Sequence, residues 1–146
     1  MNETVLDLLG DRTTLTLACV DDHGPWAADV YFVRVGSALY FYSSKESRHA
    51  QAFKDDPRAA GTIHTDAKGW RDIRGLQLEG SVAEVKSKAE KGRAVAAYFL
   101  KFPFAVEVFG RKGFSEKVRI YGFTPTRVLL IENSEKFGER VEIRWD

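Results

Sequence analysis

Within seven consecutive residues, Ser43-Ser44-Lys45-Glu46-Ser47-Arg48-His49, the chain brings together hydroxyls, fixed cations and an imidazole. Such a set can hold an oxyanion through charge-assisted hydrogen bonds. Ser43 and Glu46 stand at capping-box spacing. Ser43 is therefore expected to cap a helix whose first amide N–H groups, backed by the positive end of the helix dipole, form a phosphate seat. Ser44 and Ser47 add hydroxyls, and Lys45, Arg48 and His49 add donors within about one helical turn. The same residues also describe an ordinary capped surface helix with its charges in water, and a motif this short does not choose between the two.

The elements that must position this stretch are a strand ending at Tyr42 and a short helix running to Phe53, stopped by Asp55-Asp56-Pro57. Upstream, Thr14 to Val20 alternates as a first strand. Asp21 to Pro25 supplies a turn, Trp26 to Val35 a second strand, and Gly36-Ser37 the turn into the third. In the second strand Ala27 and Ala28 precede Asp29, a carboxylate in an apolar, aromatic run. That is either a shelf where a flat ligand lies against the backbone or tight sheet packing with Asp29 at a solvated edge.

Arg58 to His64 and Ile73 to Val85 read as further strands, and in the latter Gly75 and Gly80 mark a bulge or a close backbone approach. Val118 to Phe123 and Arg127 to Asn133 follow. Val141, Ile143 and Trp145 then alternate with Arg140, Glu142 and Arg144 beyond a hairpin at Ser134 to Gly138. Helices are expected at Glu3 to Leu9, closed by Gly10, and at Ser87 to Phe102, where Ser87 and Glu90 repeat the capping spacing and Pro103 ends the run. Phe104 to Phe109 is apolar without a decisive period, and Gly110 to Gly113 reads as a loop. The pattern predicts one mainly β (α+β) domain over residues 1–146, an antiparallel sheet or barrel with two or three short helices.

At 146 residues, 44% hydrophobic and 29% charged, the composition is that of a globular domain. Twenty-two basic against 21 acidic residues leave a formal charge of +1. That disfavours a nucleic-acid partner, even though Trp26, Tyr31, Tyr40 and Tyr42 could stack on single-stranded bases. The one cysteine, Cys19, falls in an apolar strand pattern and is expected to be a buried, inert thiol. No apolar run approaches the roughly 20 residues of a membrane span, and Met1-Asn2-Glu3-Thr4 lacks signal-peptide character, so a cytoplasmic location without a membrane partner is expected. His23, His49 and His64 match no metal-ligand spacing, so no metal site is expected. Nucleophile-elbow, Walker and dinucleotide fingerprints are missing. Any reactive group is therefore expected to come from a cofactor, and no catalytic residue is assigned.

Taken in order, Phe41-Tyr42-Ser43-Ser44, Ser47-Arg48-His49-Ala50-Gln51, Asp56-Pro57-Arg58-Ala59-Ala60 and Leu76-Gln77-Leu78-Glu79-Gly80 resemble the pyridoxamine 5'-phosphate oxidase-like flavin-binding split barrels. The likeness is stronger to the small YhbP-like branch, through Ala60-Gly61-Thr62-Ile63, Ile73-Arg74-Gly75-Leu76-Gln77, Lys101-Phe102-Pro103 and the ending Phe137-Gly138 to Asp146. The resemblance implies a six-stranded antiparallel split barrel that forms a domain-sharing homodimer and binds flavin mononucleotide (FMN) at the subunit interface. It implies a flavin phosphate held at Tyr42, Ser43, Arg48 and His49, with the ring against Ala28, Asp29 and Val30 and a contribution from Arg74 and Gly75.

The sequence departs from the oxidases in three places. His49 stands where they carry lysine, Gly75 stands where they carry glutamine, and Arg140 to Asp146 lacks their substrate-binding arginine and histidine pattern. The expected function is that of an FMN-dependent oxidoreductase passing hydride or electrons to or from a small substrate, and not a true pyridoxamine phosphate oxidase. The competing reading is a non-catalytic flavin, deazaflavin or haem binder acting as sensor or carrier, with His49 and His64 as the candidate haem ligands.

Overall fold

Period-two patterning sets the architecture. In β1 (Thr14–Asp21) Leu15, Leu17 and Cys19 are buried, and in β4 (Arg58–His64) Ala59, Gly61 and Ile63 are, so both strands turn one face to a common core. The computed structural model describes residues 1–109 and 117–146; the predicted loop at Gly110 to Gly113 lies outside the described residues. The remaining strands are β2 (Gly24–Val35), β3 (Ala38–Ser44), β5 (Arg74–Glu84), β6 (Val118–Glu132) and β7 (Arg140–Ile143). All pairings are antiparallel, in the order β3-β2-β1-β4-β5-β6-β7. A further β3–β6 pairing closes the first six into a barrel and leaves β7 as an arm outside the ring.

The two segments expected on either side of Thr124 form one 15-residue strand, β6. A register shift at Glu79/Gly80 is what allows this. Gly80 sits opposite Pro125, where a Cβ would lie 2.2 Å from the Thr124 carbonyl oxygen, and Pro125 has no amide to give to the ladder. β6 stays paired to β5 on both sides of this bulge. Before it β6 also pairs with β3, after it with β7.

α1 (Glu3–Asp11) is capped by Asn2, whose Oδ1 accepts from Val5 N at 2.9 Å, and it continues through Gly10, which does not end it. α3 (Lys88–Lys101) is capped by Ser87 as expected, and Tyr98 and Phe102 bury its apolar stripe with Tyr40, Val33 and Ile120 in a second core outside the barrel. Lys101 Nζ reaches back to the Leu9 and Arg12 carbonyls at 3.1 and 2.8 Å, joining α3 to the end of α1. Phe104–Phe109, ambiguous in sequence, is a helical turn and a half, α4. Among the described residues no helix is long and apolar enough to cross a membrane.

Candidate functional site

β2 and β3 pair only over Phe32–Val35 and Ala38–Phe41. Beyond that point β3 keeps its pairing to β6 through Ser44, while β2 keeps its pairing to β1 through Gly24. The two strands part there, and among the described residues β2 has no strand partner on that edge from Gly24 to Tyr31. Phe32 N donates to Thr13 O, and alternate residues of an antiparallel strand address the same neighbour. Ala28 and Val30 therefore direct their amides to β1, and Ala27, Asp29 and Tyr31 direct theirs into the split. This edge could offer donors and acceptors to a flat ligand. Asp29 itself is exposed and accepts from Thr16 Oγ1 at 2.5 Å, while Val30 is core. The wall beyond Asp29 is aromatic: Tyr31 lies 5.5 Å from Phe102 and 5.3 Å from Phe104.

The helix that was expected to start at Ser43 starts four residues later. α2 spans Arg48–Asp55 and its cap is Ser47, whose Oγ accepts from Ala50 N at 3.2 Å. Ser43 and Ser44 remain in the ladder opposite Arg119 and Val118, which holds their backbone extended. Ser44 Oγ closes a local turn by accepting from Glu46 N at 3.2 Å. With the cap on Ala50, the amides of Arg48 and His49 are the ones left facing out of the helix end.

The side chains around that end form a connected set. His49 Nε2 bonds to Ser43 Oγ and lies 3.3 Å from Ser47 Oγ; the two hydroxyl oxygens are 3.4 Å apart. The Ser47 proton is donated to Ser44 O at 2.8 Å, so towards His49 this hydroxyl can only accept. Burial pushes the His49 imidazole below its ordinary pKa, which keeps it neutral. Arg48, next to it, turns the other way. Its Nε and Nη2 meet the two carboxylate oxygens of Asp21 at 2.8 and 3.0 Å, and its guanidinium lies 4.5 Å over the Trp26 ring. Hydrogen bonds from Arg48 hold the Asp21 carboxyl below the usual range.

Ser43, Ser44, Arg48 and His49 are therefore brought to one place, at the end of the β2–β3 split. Tyr42 leaves the set on its side-chain side: its ring packs edge-on against Tyr98 at 4.6 Å under α3. Arg74 and Gly75 stand apart. β1 and β4 separate β5 from β2 in the sheet, a distance of about 14 Å at roughly 4.8 Å per strand. Arg74 pairs with Glu132 at 3.2 Å, and with Gly75 it lines a depression of about 200 Å³ that also includes His64 and Gln77. A side chain at Gly75 would force the neighbouring backbone to shift, because a Cβ there would lie 2.6 Å from the Ile63 carbonyl oxygen. The sequence reading missed Asp21 and Trp26 as partners of Arg48, and Ser47 as the cap. Asp21 carried only a turn signal, which it also satisfies by accepting from His23 N at 2.9 Å.

The two outward amides and the Ser43 hydroxyl are the donors this end can turn to a phosphate, while Ser47 Oγ donates to Ser44 O, His49 Nε2 is turned to the serines and Asp21 holds the Arg48 guanidinium. A six-stranded antiparallel barrel opened along one seam, with such an end beside the open edge, is the architecture of the split-barrel proteins. The chain matches the family model described as pyridoxamine 5'-phosphate oxidase over residues 1–131, and it belongs to that family. Within it, the chain is 30% identical over 98 residues to a UPF0306 protein of Pasteurella multocida, spanning 65% of this chain and 66% of that one. It is 24% identical over 135 residues to a UPF0306 protein of Photorhabdus laumondii, spanning 91% and 88%. These relatives represent the YhbP-like branch.

Solved structures share the fold at low identity. They include a haem-binding protein from Mycobacterium smegmatis (TM-score 0.75, 19% identity, 98% of this chain and 58% of that one). A haem storage protein from Vibrio cholerae has TM-score 0.73 and 20% identity over 88% and 91% of the two chains. An FAD-binding protein from Mesorhizobium loti has TM-score 0.65 and 14% identity over 85% and 87%.

Proposed function

We propose that the protein binds FMN in the β2–β3 split and acts as a flavin-dependent oxidoreductase on a small substrate. The observation that carries this reading is the cluster of Ser43, Ser47, His49 and the α2 amides at the end of an unpartnered β2 edge. In it the amides and the Ser43 hydroxyl take the phosphate, and the Ala27–Tyr31 edge takes the polar rim of the ring. Bound there, the flavin supplies reversible electron transfer, and the polypeptide supplies orientation and exclusion of water. True pyridoxamine phosphate oxidase activity is not part of the proposal, since Arg140 to Asp146 lacks the pattern for that substrate.

The working form is a homodimer. Arg74 and Gly75 lie two strands away from the split they are expected to serve, and a second copy laid against the outer sheet face is the simplest way to complete the site. Purified protein is expected to be yellow, or to take up FMN with micromolar affinity or better. Arg48→Ala is expected to weaken that titration by one to two orders of magnitude, the loss of a charge-assisted contact of about 1.5–3 kcal/mol. Colourless protein indifferent to added FMN overturns the reading.

Haem binding is the second reading, and one observation favours it. His64 Nδ1 donates to Thr65 O at 3.2 Å on the outer sheet face, which leaves Nε2 as an outward-facing acceptor. His49 does not present itself this way, since its Nε2 is turned to Ser43 and Ser47. A Soret band on adding haemin that is lost in His64→Ala would favour this alternative.

A further inference from the structure

Arg48 is the one fixed cation of the anion-binding stretch that the fold holds in a defined fork geometry, and the partner in that fork is an acid. Asp21 closes β1 and meets Nε and Nη2 side by side, at 2.8 and 3.0 Å. This is the edge of a guanidinium that a phosphate or a carboxylate takes with two oxygens. Trp26 covers one face of the guanidinium at 4.5 Å and so fixes its plane, leaving exchange of the in-plane partner as the direct way to re-pair the fork. Neither side chain is sealed in: Arg48 is 33% and Asp21 21% exposed, enough for an incoming anion to reach the pair. Asp21 is also tied independently to its own turn through His23 N, so it has a place to remain when it gives up Arg48.

We propose that Asp21 is a built-in competitor for the anionic end of the ligand, holding Arg48 while the site is empty and yielding it when an oxyanion is seated at the start of α2. The inference rests on the flavin reading above and adds a residue that sets affinity and release. Each binding event trades one bidentate ion pair for another, so while Asp21 is charged part of what Arg48 contributes is offset by releasing it from Asp21. Removing that charge makes the gain larger. A plain structural pin between the β1–β2 turn and α2 predicts the opposite, because loosening it would disorder Arg48.

The experiment is a titration of the full-length chain and of Asp21→Asn with FMN and, separately, with riboflavin, which lacks the phosphate. The melting temperature of each variant is recorded alongside to show that it folds. FMN affinity is expected to rise about tenfold in Asp21→Asn while riboflavin affinity stays unchanged, and Arg48→Ala in either background is expected to abolish the gain. Equal or weaker FMN binding by Asp21→Asn overturns the competitor role and leaves the flavin reading intact. Failure of both chains to bind either flavin overturns the flavin reading and the competitor role together. A gain shared equally by riboflavin overturns the assignment to the phosphate end.

Discussion

At the scale of the residue, the decisive facts concern which groups are already spoken for. His49 is neutral because burial disfavours its charged form, and its Nε2 is committed to two serine hydroxyls. A depressed folded-state pKa means that below the ordinary histidine value, about 6.5, the unfolded chain takes up a proton that the folded chain resists. Stability is therefore complete above that value and is lost as the pH falls through it. Melting curves from pH 8 to pH 5 are expected to show a steeper acid decline for the parent chain than for His49→Gln, with the two differing least in slope near pH 8. Parallel profiles would remove His49 from the account. The concentration of donors between Ser43 and His49 was readable from residue types alone. The allegiance of Arg48 was not, because Asp21 is 27 residues away and only the folded barrel makes them neighbours.

At the scale of the element, close approach of backbones governs what the site can contain. β4 passes so near Gly75 that the Ile63 carbonyl oxygen would lie 2.6 Å from an added Cβ. Gly75→Gln is accordingly expected to cost about 1–3 kcal/mol of stability by overpacking and to bring no gain in FMN affinity. Chemical denaturation paired with the flavin titration measures both, and a stable variant with tighter binding would contradict it. The two glycines of β5 were legible as a bulge or close approach, since glycine inside a strand has few other uses. The start of α2 was misplaced by four residues. Ser43 and Ser47 are both competent caps, and the choice fell to the ladder: pairing with β6 keeps Ser43 and Ser44 extended and passes the cap to Ser47.

At the scale of the whole molecule, the outer sheet face sets Thr16 opposite Thr62, Ala18 opposite Ala60 and Thr62 opposite Gln77, a partly exposed patch of small and polar side chains flanked by the carboxylates of Asp29 and Glu79. If two copies meet there, Thr62→Arg should reduce the sedimentation mass from two chains to one and weaken FMN binding at least about tenfold, with the circular dichroism of the sheet unchanged. A parent chain that sediments as a monomer would refute the shared site.

The sequence by itself determined most of the strands, the Ser87 cap and Pro103 stop of α3 and the donor-rich stretch beside a short helix. Alternation, capping and turn chemistry act over a few residues and leave a local imprint. Only the tertiary structure decided that β6 runs unbroken past Pro125, that β2 and β3 part to open the split, that Ser47 is the cap and that Asp21 holds Arg48. Each of these depends on which distant strands lie side by side. That follows from burying the barrel interior as a whole, with long-range pairings that no short window of residues contains.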